Sequence, residues 1–117
     1  MKGQTVYAPE GGRIDDAQLK SILEDAISDC RDRLKKVLLL IPDYTRYHSN
    51  GGKIANILYH LLQDTCQVDL LEALGTHQPM TPEQIADMYG DIPQERFIAH
   101  NWRTDVVKIG VVPADFV

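Results

Sequence analysis

Leu70-Leu71-Glu72-Ala73-Leu74-Gly75-Thr76-His77-Gln78-Pro79-Met80-Thr81-Pro82-Glu83-Gln84 reads as a strand, a tight polar loop and the opening of a helix. The apolar run that begins at Val68 supplies the strand, and Gly75 ends it with a backbone turn that a side chain would resist. Thr81 stands as a helix N-cap, and Pro82 takes the first helical position, where its missing N–H costs nothing. Gln84 is spaced for a reciprocal capping box. Thr76 and His77 are thereby presented at the strand's carboxyl end, in a loop held between two well-specified elements. In open α/β sheets ligands bind outside the carboxyl ends of parallel strands, so this loop is where function is expected.

Upstream, Val37-Leu38-Leu39-Leu40-Ile41 is an unalternated apolar strand, which implies burial on both faces. Pro42 ends it, and Asp43-Tyr44-Thr45-Arg46 forms a second polar loop at a strand's carboxyl end. Ser49-Asn50-Gly51-Gly52-Lys53 leads into a helix with Ile54, Ile57, Leu58, Leu61 and Leu62 on its apolar face. Strand, helix and strand from Val37 to Leu74 make a βαβ unit with parallel strands and a right-handed crossover. Asp43, Thr45, Arg46, Thr76 and His77 then emerge along one edge of one sheet. The fold class is α/β: a βαβ-based, Rossmann-like parallel sheet with flanking helices, expected to form part of a domain.

The flanks add less. Met1 to Gly12 has no periodicity and reads as a lead-in strand or arm without an assigned function. Asp15-Asp16 can cap a covering helix in which Leu19, Ile22, Leu23, Ala26, Ile27, Cys30 and Leu34 recur at helical spacing. After the helix from Pro82 to about Tyr89, Gly90 supplies a C-terminal turn, and Arg96 to His100 reads as a further short strand. Val106 to Pro113 looks like extended chain around a turn or bulge at Gly110.

With 117 residues the chain is one domain or part of one. Its 17 Asp and Glu against 12 Lys and Arg give a scattered net charge of −5, which points away from nucleic acid and anionic membranes. No apolar run is long enough to cross a bilayer and no signal peptide is visible, so a cytoplasmic location is expected. Cys30 and Cys66 lack metal or redox spacing and read as buried free thiols.

Arg46 offers a planar fork that grips a carboxylate or phosphate, but alone an arginine is more often a surface ion-pair partner. Asp43 could orient that arginine, hold a ribose hydroxyl, or simply cap a turn. The three polar residues Asp43, Thr45 and Arg46, at a position expected to face a crevice, favour function. His77 can exchange a proton near neutral pH, and the flanking Gly75 and Pro79 fix its loop as acid–base chemistry requires. His100, beside Trp102, is a candidate second polar group of the site, with a structural role as the stronger expectation. His48 and His60 have no partner spacing, and no metal ligand set can be built. Gly51-Gly52-Lys53 fails as a phosphate loop because Ile54 follows the lysine, so a plain helix start is expected.

Asp43-x-Thr45-Arg46 after an apolar strand, Leu74-Gly75-Thr76-His77-Gln78-Pro79-Met80-Thr81 some way beyond, and His100-Asn101-Trp102 with Lys108-Ile109-Gly110 together resemble the N-terminal domain of the nickel-dependent lactate racemase family. The resemblance covers roughly Val37 to the C-terminus. It implies a nickel pincer nucleotide that takes a hydride from C2 of a small 2-hydroxy acid while a histidine removes the hydroxyl proton. It implies His77 as one of two acid–base histidines, Arg46 as the carboxylate holder, Asp43 and Thr45 in the same substrate pocket, and Thr76 facing the cofactor. The second histidine, the cofactor-bearing lysine and the nickel-binding histidine of such enzymes are not matched within these residues. The chain is therefore expected to be an N-terminal piece that carries half a site, does not itself hold the cofactor, has the rest of a longer chain as partner and is inactive alone. Gln78 stands where relatives often carry arginine, which leaves substrate preference open. The competing expectation is a non-catalytic α/β module that binds a nucleotide or small carboxylate; the plainest is a domain whose loop residues only pack and cap.

Overall fold

The structure is a computed structural model, described for residue 3 and residues 5–116. Three strands, β1 (Lys36–Ile41), β2 (Gln67–Glu72) and β3 (Phe97–Ala99), form one sheet in the order β1-β2-β3. Both pairings are parallel, with Leu39 opposite Leu70 and Leu70 opposite Phe97. Three helices alternate with them: α1 (Asp16–Ile27), α2 (Gly51–Leu62) and α3 (Pro82–Tyr89). This confirms the α/β class and the βαβ unit.

Strands added in chain order by right-handed crossovers place their connecting helices on one face of the sheet. Val37, Leu39 and Ile41 of β1 and Val68 and Leu70 of β2 join the core with Ala55, Tyr59, Leu62, Ile85, Met88 and Tyr89 of the helices. Leu70 is fully buried. The other face is open: Leu38 is 52% exposed, Leu40 72% and Ile98 46%. The expectation that β1 is buried on both faces is therefore corrected, because a sheet in simple sequential order brings helices to one side only.

Local chemistry sets the ends. Asp15 caps α1 and Thr81 caps α3, each in a full capping box with Gln18 and Gln84. The first helix stops at Ile27 rather than running on to Leu34; a turn and a short 3-10 segment, Arg31–Arg33, carry Cys30 and Leu34 to the core margin. Cys30 and Cys66 are free thiols but only half-buried. Gly52 lies where α2 meets α3, and a Cβ there would stand 2.0 Å from the Met88 carbonyl oxygen. Gly75 has φ +59°, the left-handed turn its position demanded. Residues 106–113 form no strand, and Gly110 is not in a left-handed turn. Of the N-terminal arm, residues 1, 2 and 4 lie outside the described residues, and Gly3 and residues 5–12 form no strand.

Candidate functional site

The carboxyl ends of β1 and β2 each release a polar loop, and the two loops meet. After Pro42 the chain turns into a 3-10 segment, Tyr44–Ser49, with Asp43 as its cap. One oxygen of Asp43, Oδ1, accepts from the Thr45 backbone N–H at 3.0 Å and from the Thr45 hydroxyl. The other, Oδ2, accepts from Nδ1 of His77. Asp43 is buried at 6% exposure, whereas His77 keeps 51% of its side chain exposed. A carboxylate only accepts, so Nδ1 carries the hydrogen and neutral His77 has its lone pair on Nε2.

Asp43 is thus a capping and orienting group. Burial pushes its carboxyl pKa up, but the hydrogen bonds from Thr45 and His77 outweigh that and hold it below the usual carboxylate value. No ion pair joins it to Arg46 among the described residues. The Arg46 guanidinium is exposed and has no side-chain partner among them, and its backbone N–H donates to the Asp43 carbonyl at 3.0 Å. Arg46, Asp43, Thr45, Thr76 and His77 line one cleft of about 650 Å³. All five residues expected at the site are therefore brought together.

Glu72 is a further member of this region. It occupies the last position of β2 on the core-facing side, 2% exposed, and its Oε2 accepts the Met80 N–H at 3.0 Å. That bond closes the loop from Ala73 to Pro79 around its own strand end, helped by the His77 N–H donating to the Leu74 carbonyl at 3.0 Å. Burial raises the Glu72 pKa; the Met80 N–H opposes this and the nearby Asp43 charge adds to it. An acid on the same side of the strand as Val68 and Leu70 was the available sequence signal. Beneath it the buried Tyr89 hydroxyl donates to the Pro42 carbonyl, and burial together with the Glu72 and Asp43 charges keeps that phenol protonated. Tyr44 donates to Asp87 Oδ2 at 2.7 Å and fastens the Asp43 loop to α3.

On the other side of His77 a second crevice, about 400 Å³, opens between Thr76–Pro79 and residues 99–103. His100 lines it and is half-buried. His60 lies elsewhere, hydrogen-bonded to Asp91 at 2.9 Å. Among the described residues no group of three or more His, Cys, Asp or Glu is arranged to hold a metal ion. Nor is any described helix long and apolar enough to cross a membrane.

A crystal structure of a protein from Thermotoga maritima is similar, with a TM-score of 0.62 and 30% identity over 74% of this chain. The matched region is 21% of that protein, so the chain spans only a minor part of its relative's length. No match was found among curated proteins. The lactate racemase N-terminal domain family matches residues 6–116. With nearly the whole sequence matched, this chain belongs to the lactate racemase N-terminal domain family.

Proposed function

We propose that this chain supplies the carboxylate-holding and proton-exchanging part of a 2-hydroxy acid racemase of the lactate type. The observation that carries the reading is the cleft lined both by the Arg46 guanidinium, which has no side-chain partner among the described residues, and by a His77 ring oriented by Asp43. Arg46 receives the substrate carboxylate in two parallel hydrogen bonds. His77 accepts the substrate's hydroxyl proton on Nε2 and gives it back to the same oxygen, so its part is proton exchange alone. Asp43 keeps the tautomer fixed throughout and stabilises the imidazolium that forms when the proton is held. Thr45 orients Asp43, and Thr76 borders the substrate from the loop.

Family membership implies a nickel pincer nucleotide as the hydride acceptor. The described residues do not fit a nickel centre, since they offer no cluster of suitable donors. The chain's own contribution is binding, orientation and proton exchange. The isolated chain is accordingly expected to bind the acid without racemising it.

The test is interconversion of D- and L-lactate, followed by chiral chromatography, in a protein that carries this sequence together with the rest of a racemase. His77→Gln should lower turnover by about 10²-fold or more. Arg46→Ala should raise KM as well as lower turnover. Full activity in His77→Gln, or racemisation by the isolated 117-residue chain, would overturn the reading. Lactate binding by a complete protein that never interconverts the enantiomers would leave a binding module.

A further inference from the structure

The second crevice carries an inference that rests on the racemase reading and extends it to substrate class. Thr76 and His77 form a wall common to both cavities: Arg46 lies on one side, Trp102 and Arg103 on the other. The Arg103 guanidinium stacks over the Trp102 ring, 4.3 Å from its centroid. It has no carboxylate partner among the described residues. Stacking fixes the plane of the guanidinium and leaves its edge donors free.

The turn that presents this pair is held in place. The Asn101 N–H donates to Asp105 Oδ2 at 2.9 Å, and the Arg103 N–H donates to Asn101 Oδ1 at 3.2 Å. Asp105 is occupied there and does not line the crevice. No acidic residue lines it at all, although acids outnumber bases 17 to 12 in the chain, while Arg103, His77 and His100 all do. An acid-free, donor-rich cavity beside the acid–base histidine suits a negative group on the substrate, not the methyl of lactate.

We propose that the crevice between Thr76–Pro79 and His100–Arg103 receives the distal carboxylate of a dicarboxylic 2-hydroxy acid whose first carboxylate is held by Arg46. The acid then lies across His77, with its C2 hydroxyl at the ring and its second carboxylate on the Arg103 edge. Arg103 is on this account a specificity residue that acts on the far end of the substrate and takes no part in proton exchange.

Trp102 is the chain's single tryptophan, so its fluorescence reports directly on this crevice. Titration of the 117-residue chain with D-malate, L-malate, lactate and inorganic phosphate should show malate binding at least about tenfold more tightly than lactate, with only malate changing the Trp102 signal. Binding of lactate, which need not perturb Trp102, is followed in parallel by calorimetry. Arg103→Gln should remove the malate advantage and leave lactate binding unchanged, and Arg46→Ala should weaken both acids. Circular dichroism checks that the exposed Arg103 substitution leaves the fold intact. Equal affinities for malate and lactate, an Arg103→Gln variant that still prefers malate, or tighter binding of phosphate than of malate would overturn the proposal while leaving the lactate-type reading in place. Failure of either acid to bind would overturn both.

Discussion

Two carboxylates at the heads of adjacent strands have opposite relations to pH. Asp43 has its pKa lowered on folding, because the hydrogen bonds it receives from Thr45 and His77 outweigh the cost of its burial. Its stabilising contribution is complete above the unfolded-state value of about 4 and is lost as pH falls through the lower folded value. Glu72 has its pKa raised, chiefly by burial. Its ionised form opposes folding, and that penalty grows as pH rises from about 4.3 through the folded value. Asp43→Asn should therefore lower Tm at neutral pH and matter progressively less in acid. Glu72→Gln keeps an acceptor for the Met80 N–H without the charge, so it should raise Tm at neutral pH and lose that advantage below pH 4. Thermal unfolding of both variants between pH 3 and 8 measures this, and parallel pH dependences would contradict the assignment. Asp43 was legible as a functional-loop residue from its place after Pro42, but its attachment to His77 was not. The two are 34 positions apart, and only the parallel register of β1 and β2 brings their loops into contact.

Among the elements, α3 was the most legible and the packing of α2 the least. Thr81, Pro82 and Gln84 act locally, and the capping box they form is a property of four consecutive residues. Thr81→Ala should cost about 1 kcal/mol in denaturant unfolding, the usual loss for a threonine cap. Gly52, by contrast, looked like part of an ordinary helix start. Its need for hydrogen in place of a side chain arises from the Met88 carbonyl of another helix, which no local pattern reveals. Gly52→Ala should be far more damaging than its helix propensity suggests, forcing α2 away from α3 and lowering Tm well beyond the Thr81→Ala effect. An alanine there that leaves Tm unchanged would show that the two helices do not approach as described. The overlong reading of α1 has a similar origin. Cys30 and Leu34 do reach the core margin at helical spacing, but through a turn and a 3-10 segment instead of continuous helix.

For the whole molecule, the sheet was read correctly and its exposure was not. Five consecutive apolar residues in β1 imply cover on both sides, yet sequential strand order supplies helices to one side, and Leu38 and Leu40 face outward. Leu40→Lys should leave stability within about 0.5 kcal/mol, as for surface substitutions generally, and should reduce self-association at high concentration. Leu70→Ala, at the fully buried centre of β2, should cost about 2–5 kcal/mol. Light scattering and thermal unfolding of the two variants separate these effects, and a Leu40→Lys chain that unfolds would show that the face is buried. The same topology gathers the candidate residues: two parallel strands ending side by side place Arg46 and His77 on one cleft, and the motifs single out both as candidates from sequence alone. The Trp102 and Arg103 crevice was less legible: His100 could be weighed as a second polar group of the site, but only the fold shows that its segment lies against the His77 loop.

The central claim is that His77, fixed through Nδ1 by Asp43, offers Nε2 to the hydroxyl of an acid held by Arg46. Long-range ¹H–¹⁵N correlation of the His77 imidazole during a lactate titration tests it most directly. The prediction is a hydrogen on Nδ1, with an Nε2 resonance that moves as lactate binds and no longer moves in Arg46→Ala. A ring protonated on Nε2, or an Nε2 resonance indifferent to lactate, would contradict it.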